Sequence, residues 1–506
     1  MANKPRYARR RPEQSPLHQV VRDNLRTLYA ATEQGFSAPL PAFVRDELEG
    51  YVDCGVLSRG FAVLACPECS ERIVVGFSCK GLGFCPSCLG RRMAETAANL
   101  VEHVLPNQAP LRQFVLTLPF ELRARLAYDG KLLGAVCHAF VDSVLGWYRR
   151  HFEARGIAGG KSGAVTAVQR VSSDLRLNPH FHTIALDGAY VEDEHGELIF
   201  HPLPCLTNGD VADILQIAST RILRLLRRMS VVEDDTVNAD EALTDSESAL
   251  AELAVASTLG RVPAGPALRQ TGPIRLRPGR EIEHPKGLCA AAHGFSLHAA
   301  TTAKADDAVG REALCKYILR PPIARENIQL VADDLVRLQL KRTFSDGTFA
   351  LDLDPLSLLV RLATTVPPPH FHTVRYAGVL AAASRCRARV VPPAKPSAEP
   401  DDSKHECSTC TAKDKPPTHR SGYRPWRELL MRSFKIDVEH CASCGARMKL
   451  RALVMTSAGI ERYLNWLGEP VDPPTLAPAR DPPYFKSRVI RRRLGEPAQP
   501  ELFDAH

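Results

Sequence analysis

The stretch Asn178-Pro-His-Phe-His-Thr-Ile-Ala-Leu-Asp187-Gly188 decides how this chain is read. Thr183-Ile-Ala-Leu186 has the composition of a β-strand, and alternate residues of a strand point to the same face. His180 and His182 therefore share one face, and Phe181 between them turns into the opposite one. Two imidazoles side by side are a preformed pair of metal ligands. With one more polar ligand they can hold Mg2+ or Mn2+ and leave positions open for a phosphate oxygen. Downstream, Arg311-Glu-Ala-Leu-Cys-Lys-Tyr-Ile-Leu-Arg-Pro-Pro322 predicts a helix stopped by its two prolines, with Tyr317 near its end. A tyrosine hydroxyl beside such an ion can attack a phosphodiester, leaving a 5′-phosphotyrosine and a free 3′-hydroxyl. Lys316 and Arg320 flank it as phosphate-binding cations.

A near copy, Pro369-His-Phe-His372-Thr-Val-Arg-Tyr-Ala-Gly378, competes for the role. It follows three prolines and leads into Arg375, a poor neighbour for a cation, whereas the first copy leads to Asp187. The first is taken as the metal site, and the second as a contact to DNA phosphate or the start of a strand. The paired His-x-Thr motifs of two-histidine phosphoesterases do not fit, because Thr183 and Thr373 directly follow the second histidine of each copy.

With 506 residues, 44% of them hydrophobic and 24% charged, the chain is long enough for two to four domains with ordinary cores. No run approaches eighteen uninterrupted apolar residues, so no membrane span is expected. The net charge is +8, yet Glu233 to Glu252 holds eight acidic residues and no Lys or Arg, so the remainder carries 8 + 8 = +16. A basic body with an acidic insert suits a polyanionic partner such as nucleic acid. The basic N-terminus lacks a following apolar run, so no export signal is read and a reducing cytoplasm is expected.

In such a compartment the fifteen cysteines point to metal rather than to disulfides. Cys66-Pro-Glu-Cys69 and Cys85-Pro-Ser-Cys88, fifteen residues apart, are two knuckles expected to complete one tetrahedral zinc site. Cys54 and Cys79 lie close enough to form a second site with a noncysteine ligand or to exchange into the first. Cys441-Ala-Ser-Cys444 has its nearest mate in Cys407-Ser-Thr-Cys410, which predicts a separate C-terminal zinc site. Closed four-thiolate sites are structural, with Lys80, Arg91 and Arg92 available for DNA contact.

The chain divides into a helical lead-in (1–50), a zinc-binding domain (51–105) and a catalytic region (106–391) carrying the acidic insert (233–260), read as a solvated helix or a mobile insert. A Pro-, Ser-, Lys- and Asp-rich linker (392–420), a C-terminal knuckle module (421–466) and a Pro-rich basic tail (467–506), disordered in part, follow.

Taken together, these motifs resemble one family. Cys66 to Cys88 with Arg91-Arg-Met-Ala-Glu-Thr-Ala97 is similar to the zinc-binding domain of bacterial rolling-circle transposases of the insertion-sequence-91 family. Gly163 to Gln169 with His180-Phe-His182 and Leu186-Asp-Gly188 resembles its His-hydrophobic-His region, and Tyr317-Ile-Leu-Arg-Pro-Pro-Ile-Ala324 its tyrosine helix. Val366 to Gly378 and Trp426 to Gly445 resemble its C-terminal region. The resemblance implies an α+β catalytic fold, a central antiparallel sheet with packed helices, between an N-terminal zinc module and a C-terminal knuckle module. It implies a metal-dependent single-strand endonuclease and strand transferase. Tyr317 would be the nucleophile and His180 and His182 the ligands of Mg2+ or Mn2+; the resemblance does not fix the third ligand, for which Gln169 and Asp187 are the candidates. Its partners would be single-stranded DNA at element termini and target, with host replication proteins, in the bacterial nucleoid. Position 313 is Ala where some members carry a second tyrosine, which fits the single-tyrosine branch. The alternative is a zinc-dependent DNA-binding or regulatory protein without catalysis, a decayed transposase, which cleavage of single-stranded DNA would distinguish.

Overall fold

The architecture comes from a computed structural model, which describes residues 9–35, 39–232, 248–259, 274, 276, 287–344, 346–392, 424, 426–434, 436–481 and 487–491. Its centre is an antiparallel sheet in the order Val374–Gly378, Gly163–Val171, Leu177–Leu186, Leu111–Thr117, Phe295–His298 and Cys289–Ala292. The short strand Thr302–Ala303 also pairs with Leu111–Thr117. Leu177–Leu186, the histidine strand, lies in the interior of the sheet. His182 faces Val115 on one neighbour and Ala167 on the other, while His180 faces Thr117 and Gln169.

This register sorts the side chains into two layers. Phe181 and Ala185, with Phe114, Leu116, Ala164 and Val168 of the neighbouring strands, form one face. That face packs under the long helix Gly130–Glu153, whose Phe140 ring stacks on Phe181 at 6.2 Å, and under the helix Asn208–Arg228. The opposite face carries Ile184 and Leu186 with Leu111, Val165 and Ala167. It is covered by the zinc-domain helix Pro86–His103, through Ala97 and Leu100, and by the tyrosine helix Ala308–Ile318, through Leu314, Cys315 and Ile318. The predicted α+β arrangement is observed.

A second core holds Pro16–Gly35, Ala42–Asp53 and the buried helix Pro355–Thr365 against a sheet of Ile328–Leu330, Val336–Gln339, Thr348–Leu353 and Arg488–Arg491. Arg488–Arg491 belongs to the segment expected as a loose tail. The described part of that segment is tied down: Arg488 bonds Asp352, and the Ala477 and Arg480 amides donate to Arg22 O and Thr27 Oγ1 of the first long helix. The acidic insert also needs correction. Its part Ser248–Leu259 is a helix with Leu253, Ala254, Ser257 and Thr258 buried, because Ser-Ala-Leu-Ala-Glu-Leu-Ala-Val-Ala-Ser-Thr-Leu is mostly apolar. The acidic run at 233–247 lies outside the described residues.

The two cysteine-bearing ends, expected as separate modules, form one unit. Lys449–Val454 pairs antiparallel with Phe61–Ala65, which pairs with Arg72–Gly76. The helix Trp426–Phe434 packs on the zinc-domain helix, and Arg424 and Arg432 ion-pair with Glu102. No helix among the described residues is long and apolar enough to cross a membrane.

The tyrosine helix is anchored by a residue that the motif reading passed over. Asp307 caps its start by accepting from the Gly310 amide. Arg311, 2% exposed, donates to the carbonyls of Ala109, Pro106 and Leu105 beyond the zinc-domain helix. Replacing it leaves buried carbonyls unpaired. Arg311→Met should lower stability by about 3 kcal/mol in denaturant titrations. A loss under about 1 kcal/mol would mean that the anchor is not energetically important.

Candidate active site

On the helix-covered face, apolar residues give way to polar ones towards the start of the histidine strand. Ile184 and Leu186 lie under the two helices, whereas His182 and His180 emerge where the tyrosine helix ends. The two imidazoles have ring centroids 4.9 Å apart. His180 donates from Nδ1 to Asn178 O, two residues earlier on the same strand, at 2.6 Å, which leaves Nε2 with its lone pair. His182 Nδ1 lies 2.7 Å from the Gln113 side-chain amide, and its Nε2 is buried with no partner. The Gln113 amide nitrogen donates to Nδ1; a half-turn of that amide, which keeps its shape, lets Nδ1–H donate to the amide oxygen and would leave the orphaned Nε2 free as a ligand atom. Both rings thus have an outer hydrogen bond of the kind that orients metal-bound histidines.

Burial pulls His180 down to about 4 and His182 down to about 2, with the Arg320 charge adding to both. Both imidazoles are neutral at ordinary pH, the form that binds a divalent ion. The residues present fit a metal on these grounds, and His180 and His182 would hold it.

The third ligand narrows. Asp187 is buried on the other face of the sheet, where Arg112 grips both its oxygens at 2.9 and 2.8 Å and the Tyr148 hydroxyl donates to one at 2.8 Å. It is a structural ion pair and not a ligand for this site. Its odd number already separates it from His180 and His182 by strand alternation. Among the described residues, no third His, Cys, Asp or Glu joins the pair in a metal-sized cluster. Gln169 lies directly opposite His180 in the ladder, and its amide nitrogen donates to Ile318 O at 2.9 Å, docking the end of the tyrosine helix on the sheet.

Tyr317 stands in the last turn of its helix, 39% exposed, with its ring edge-on to His182 at 5.7 Å. The Arg320 guanidinium lies over the same ring at 4.4 Å. Lys316 instead turns to Glu312 at 2.8 Å. Half-buried Lys341, which donates to Pro321 O, is pulled down to about 8 by burial and by Arg320. Tyr317, Arg320 and Lys341, but not Lys316, line a cleft of ≈ 1620 Å³ that runs from the histidines to the zinc domain. Its walls include Arg10, Arg91, Arg325 and Arg342, against a single carboxylate, Glu326. Arg92 is not part of this lining and bonds Lys80 O at 3.4 Å.

The second His-Phe-His falls in a turn and not on a strand. His370 has a left-handed backbone (φ 62°), both histidines are exposed, and Phe371 lies under the Arg170 guanidinium.

The cysteines regroup relative to the sequence expectation. Cys54, Cys79, Cys85 and Cys88 form one cluster, and Cys66, Cys69, Cys441 and Cys444 another. Sulfurs in contact lie 3.6, 3.8 and 3.4 Å apart in the first cluster and 3.4 Å apart in the second. Disulfide sulfurs sit at about 2.05 Å, whereas four thiolates around one zinc sit about 3.8 Å apart for bonds of about 2.3 Å. The expected pairing of Cys66 and Cys69 with Cys85 and Cys88 fails because the first knuckle follows the strand Phe61–Ala65, whose partner Lys449–Val454 brings the Cys441 knuckle alongside. The expected mates of Cys441 and Cys444, Cys407 and Cys410, lie outside the described residues.

The chain is similar to two known protein families. A family model for "Transposase zinc-binding domain" of the insertion-sequence-91 type matches residues 24–118, and one for "Putative transposase" matches residues 163–389. The chain belongs to the insertion-sequence-91 family of transposases. Comparisons with curated proteins and with solved structures found no match. The transposase is therefore a DNA-binding, nucleic-acid-processing enzyme with structural zinc. Its histidine strand and tyrosine helix both fall within the second match, and the Cys54 cluster falls within the first.

The depressed histidines set a pH dependence. A folded pKa below 6.5 keeps each ring neutral as pH falls through that value, and protons compete for the ligand atoms only near about 4. Mn2+ affinity at these residues, followed by electron paramagnetic resonance, should change by no more than about twofold between about pH 7.5 and 5.5. A tenfold weakening over that window would contradict the buried, neutral pair.

Proposed function

We propose that the transposase nicks and rejoins single-stranded DNA at the ends of its element, with Tyr317 as nucleophile in the cleft floored by His180 and His182. The carrying observation is the edge-on approach of the Tyr317 ring to His182 in an open, basic cleft. A divalent ion, Mg2+ or Mn2+, bound by the two histidines with Gln169 as the candidate third ligand, would polarise the scissile phosphate.

The protein's own part follows from its groups. The phenol loses its proton and its oxygen bonds to phosphorus. The bond to the 3′-oxygen breaks, and that oxygen takes up a proton. The products are a 5′-phosphotyrosine and a free 3′-hydroxyl, and attack by an incoming 3′-hydroxyl reverses the step to join strands. One phosphodiester replaces another, so the exchange needs no outside energy source. Arg320 holds the ring on one face and offers its charge to the phosphate, and Lys341 adds a second cation beside it. The cleft cations neutralise the backbone of the strand leading into the site. Two arguments favour a single strand. The nucleophile has to reach a phosphate from one side, and a single tyrosine in this helix offers one nucleophile per chain.

With a single-stranded oligonucleotide from the element end and Mg2+, Tyr317→Phe should form no covalent protein–DNA adduct. His182→Ala should slow cleavage by on the order of a hundredfold or more while leaving DNA affinity within about threefold. Adduct formation by Tyr317→Phe at the normal rate would remove the assignment. Lys341→Ala, which removes a cation and no reacting atom, should weaken binding and make it less salt-dependent.

A further inference from the structure

The second thiol cluster lies beyond the matched zinc-binding domain. Cys66 and Cys69 come from residues 24–118, but Cys441 and Cys444 come from a segment that neither family match reaches. Two knuckles built far apart in sequence face each other. In each, the residue after the second cysteine has a left-handed backbone: Ser70 at φ 58° and Gly445 at φ 76°. In each, the first cysteine amide closes the loop, Cys66 to Glu71 O and Cys441 to Ala446 O, both at 2.8 Å. The cross-pairs Cys66–Cys444 and Cys69–Cys441 are both 3.4 Å apart, so each knuckle supplies two corners of one tetrahedron.

The position of this tetrahedron gives it a task. The C-terminal segment it holds also carries Leu430, Phe434 and Ile436, which line the active-site cleft together with Arg91 and Met93 of the zinc-domain helix. The segment is also attached by a five-pair strand ladder, by the helix Trp426–Phe434 on the zinc-domain helix, by the Glu102 and Glu469 ion pairs, and by two small apolar clusters, one of Leu64, Ile73, Leu430, Val438 and Met448 and one of Leu57, Phe61, Val63, Ile460 and Leu464. Each cluster is small, and cores of that size are ones that small domains usually supplement with a metal. The two clusters also differ in access. Three of the four cysteines in the Cys54 cluster are buried, whereas Cys69 and Cys444 are exposed.

We propose that Cys66, Cys69, Cys441 and Cys444 bind a second zinc ion that latches the C-terminal segment onto the N-terminal zinc domain, forming one wall of the DNA cleft. The ion is a releasable clasp, exchanging faster than the one held by Cys54, Cys79, Cys85 and Cys88. That the cleft takes DNA rests on the proposed function, but the latch itself does not.

The test is made on the full-length protein without DNA, so its outcome is independent of the nicking chemistry. Metal analysis should give two zinc ions per chain, and the Cys441→Ser/Cys444→Ser variant one. Hydrogen exchange in the variant should be about tenfold or more faster at residues 449–464 and unchanged in the histidine strand 177–186. If the variant does not fold, the wild type still decides. A chelator should remove one zinc in a fast phase, with Cys69 and Cys444 becoming alkylatable before Cys85 and Cys88, and added zinc should reverse it. One zinc per chain, a disulfide within the cluster, a single release phase, or unchanged exchange at 449–464 would overturn the proposal.

Discussion

The whole arrangement depends on one steric rule: a strand shows only every second residue to a given side. Because Phe181 is driven into the core beneath Phe140, His180 and His182 are forced out together on the other face. The hydrophobic effect thus does the aiming, since turning the strand over would set two polar rings in the apolar core under the long helix and take Phe181 out of it. The central position of the strand, hydrogen-bonded on both sides, fixes the register that puts Gln169 opposite His180 and Gln113 within reach of His182.

The tyrosine reaches the histidines by the same logic applied to a helix. Leu314, Cys315 and Ile318 form the stripe that packs on Ile184 and Leu186, and Arg311 extends that stripe to the turn beyond the zinc-domain helix. Tyr317 then falls off the buried stripe, at the rim, where the sheet's apolar face ends and the histidines begin. The zinc-domain helix lies against the same face, so the metal-stabilised N-terminal domain helps to shape the site as well as being tethered to it.

Local pattern was legible, and tertiary partnership was not. The histidine strand, the tyrosine helix and its proline stop were readable because each is written in adjacent residues. The six cysteines of the three described knuckles were also recognisable as metal-type turns, with Cys54 and Cys79 as their companions. Which knuckles join was not, because Cys66 and Cys444 meet only through the pairing of Phe61–Ala65 with Lys449–Val454. Two misreadings had their signals in plain view. Asp187 differs in parity from the histidines, and Arg311 sits three, four and seven residues before Leu314, Cys315 and Ile318, on the buried stripe. The helix Ser248–Leu259 was obscured by charge counted across a longer window that included its acidic neighbour.

The most direct measurement is peptide mapping by mass spectrometry of the protein trapped on a single-stranded oligonucleotide from its own element end. Trypsin cuts after Lys316 and not between Arg320 and Pro321, so the nucleophile lies in the peptide 317–325. The account predicts a nucleotide-phosphate mass on that peptide, located at Tyr317. Attachment to any other tyrosine, such as Tyr376 on the strand Val374–Gly378, would contradict it.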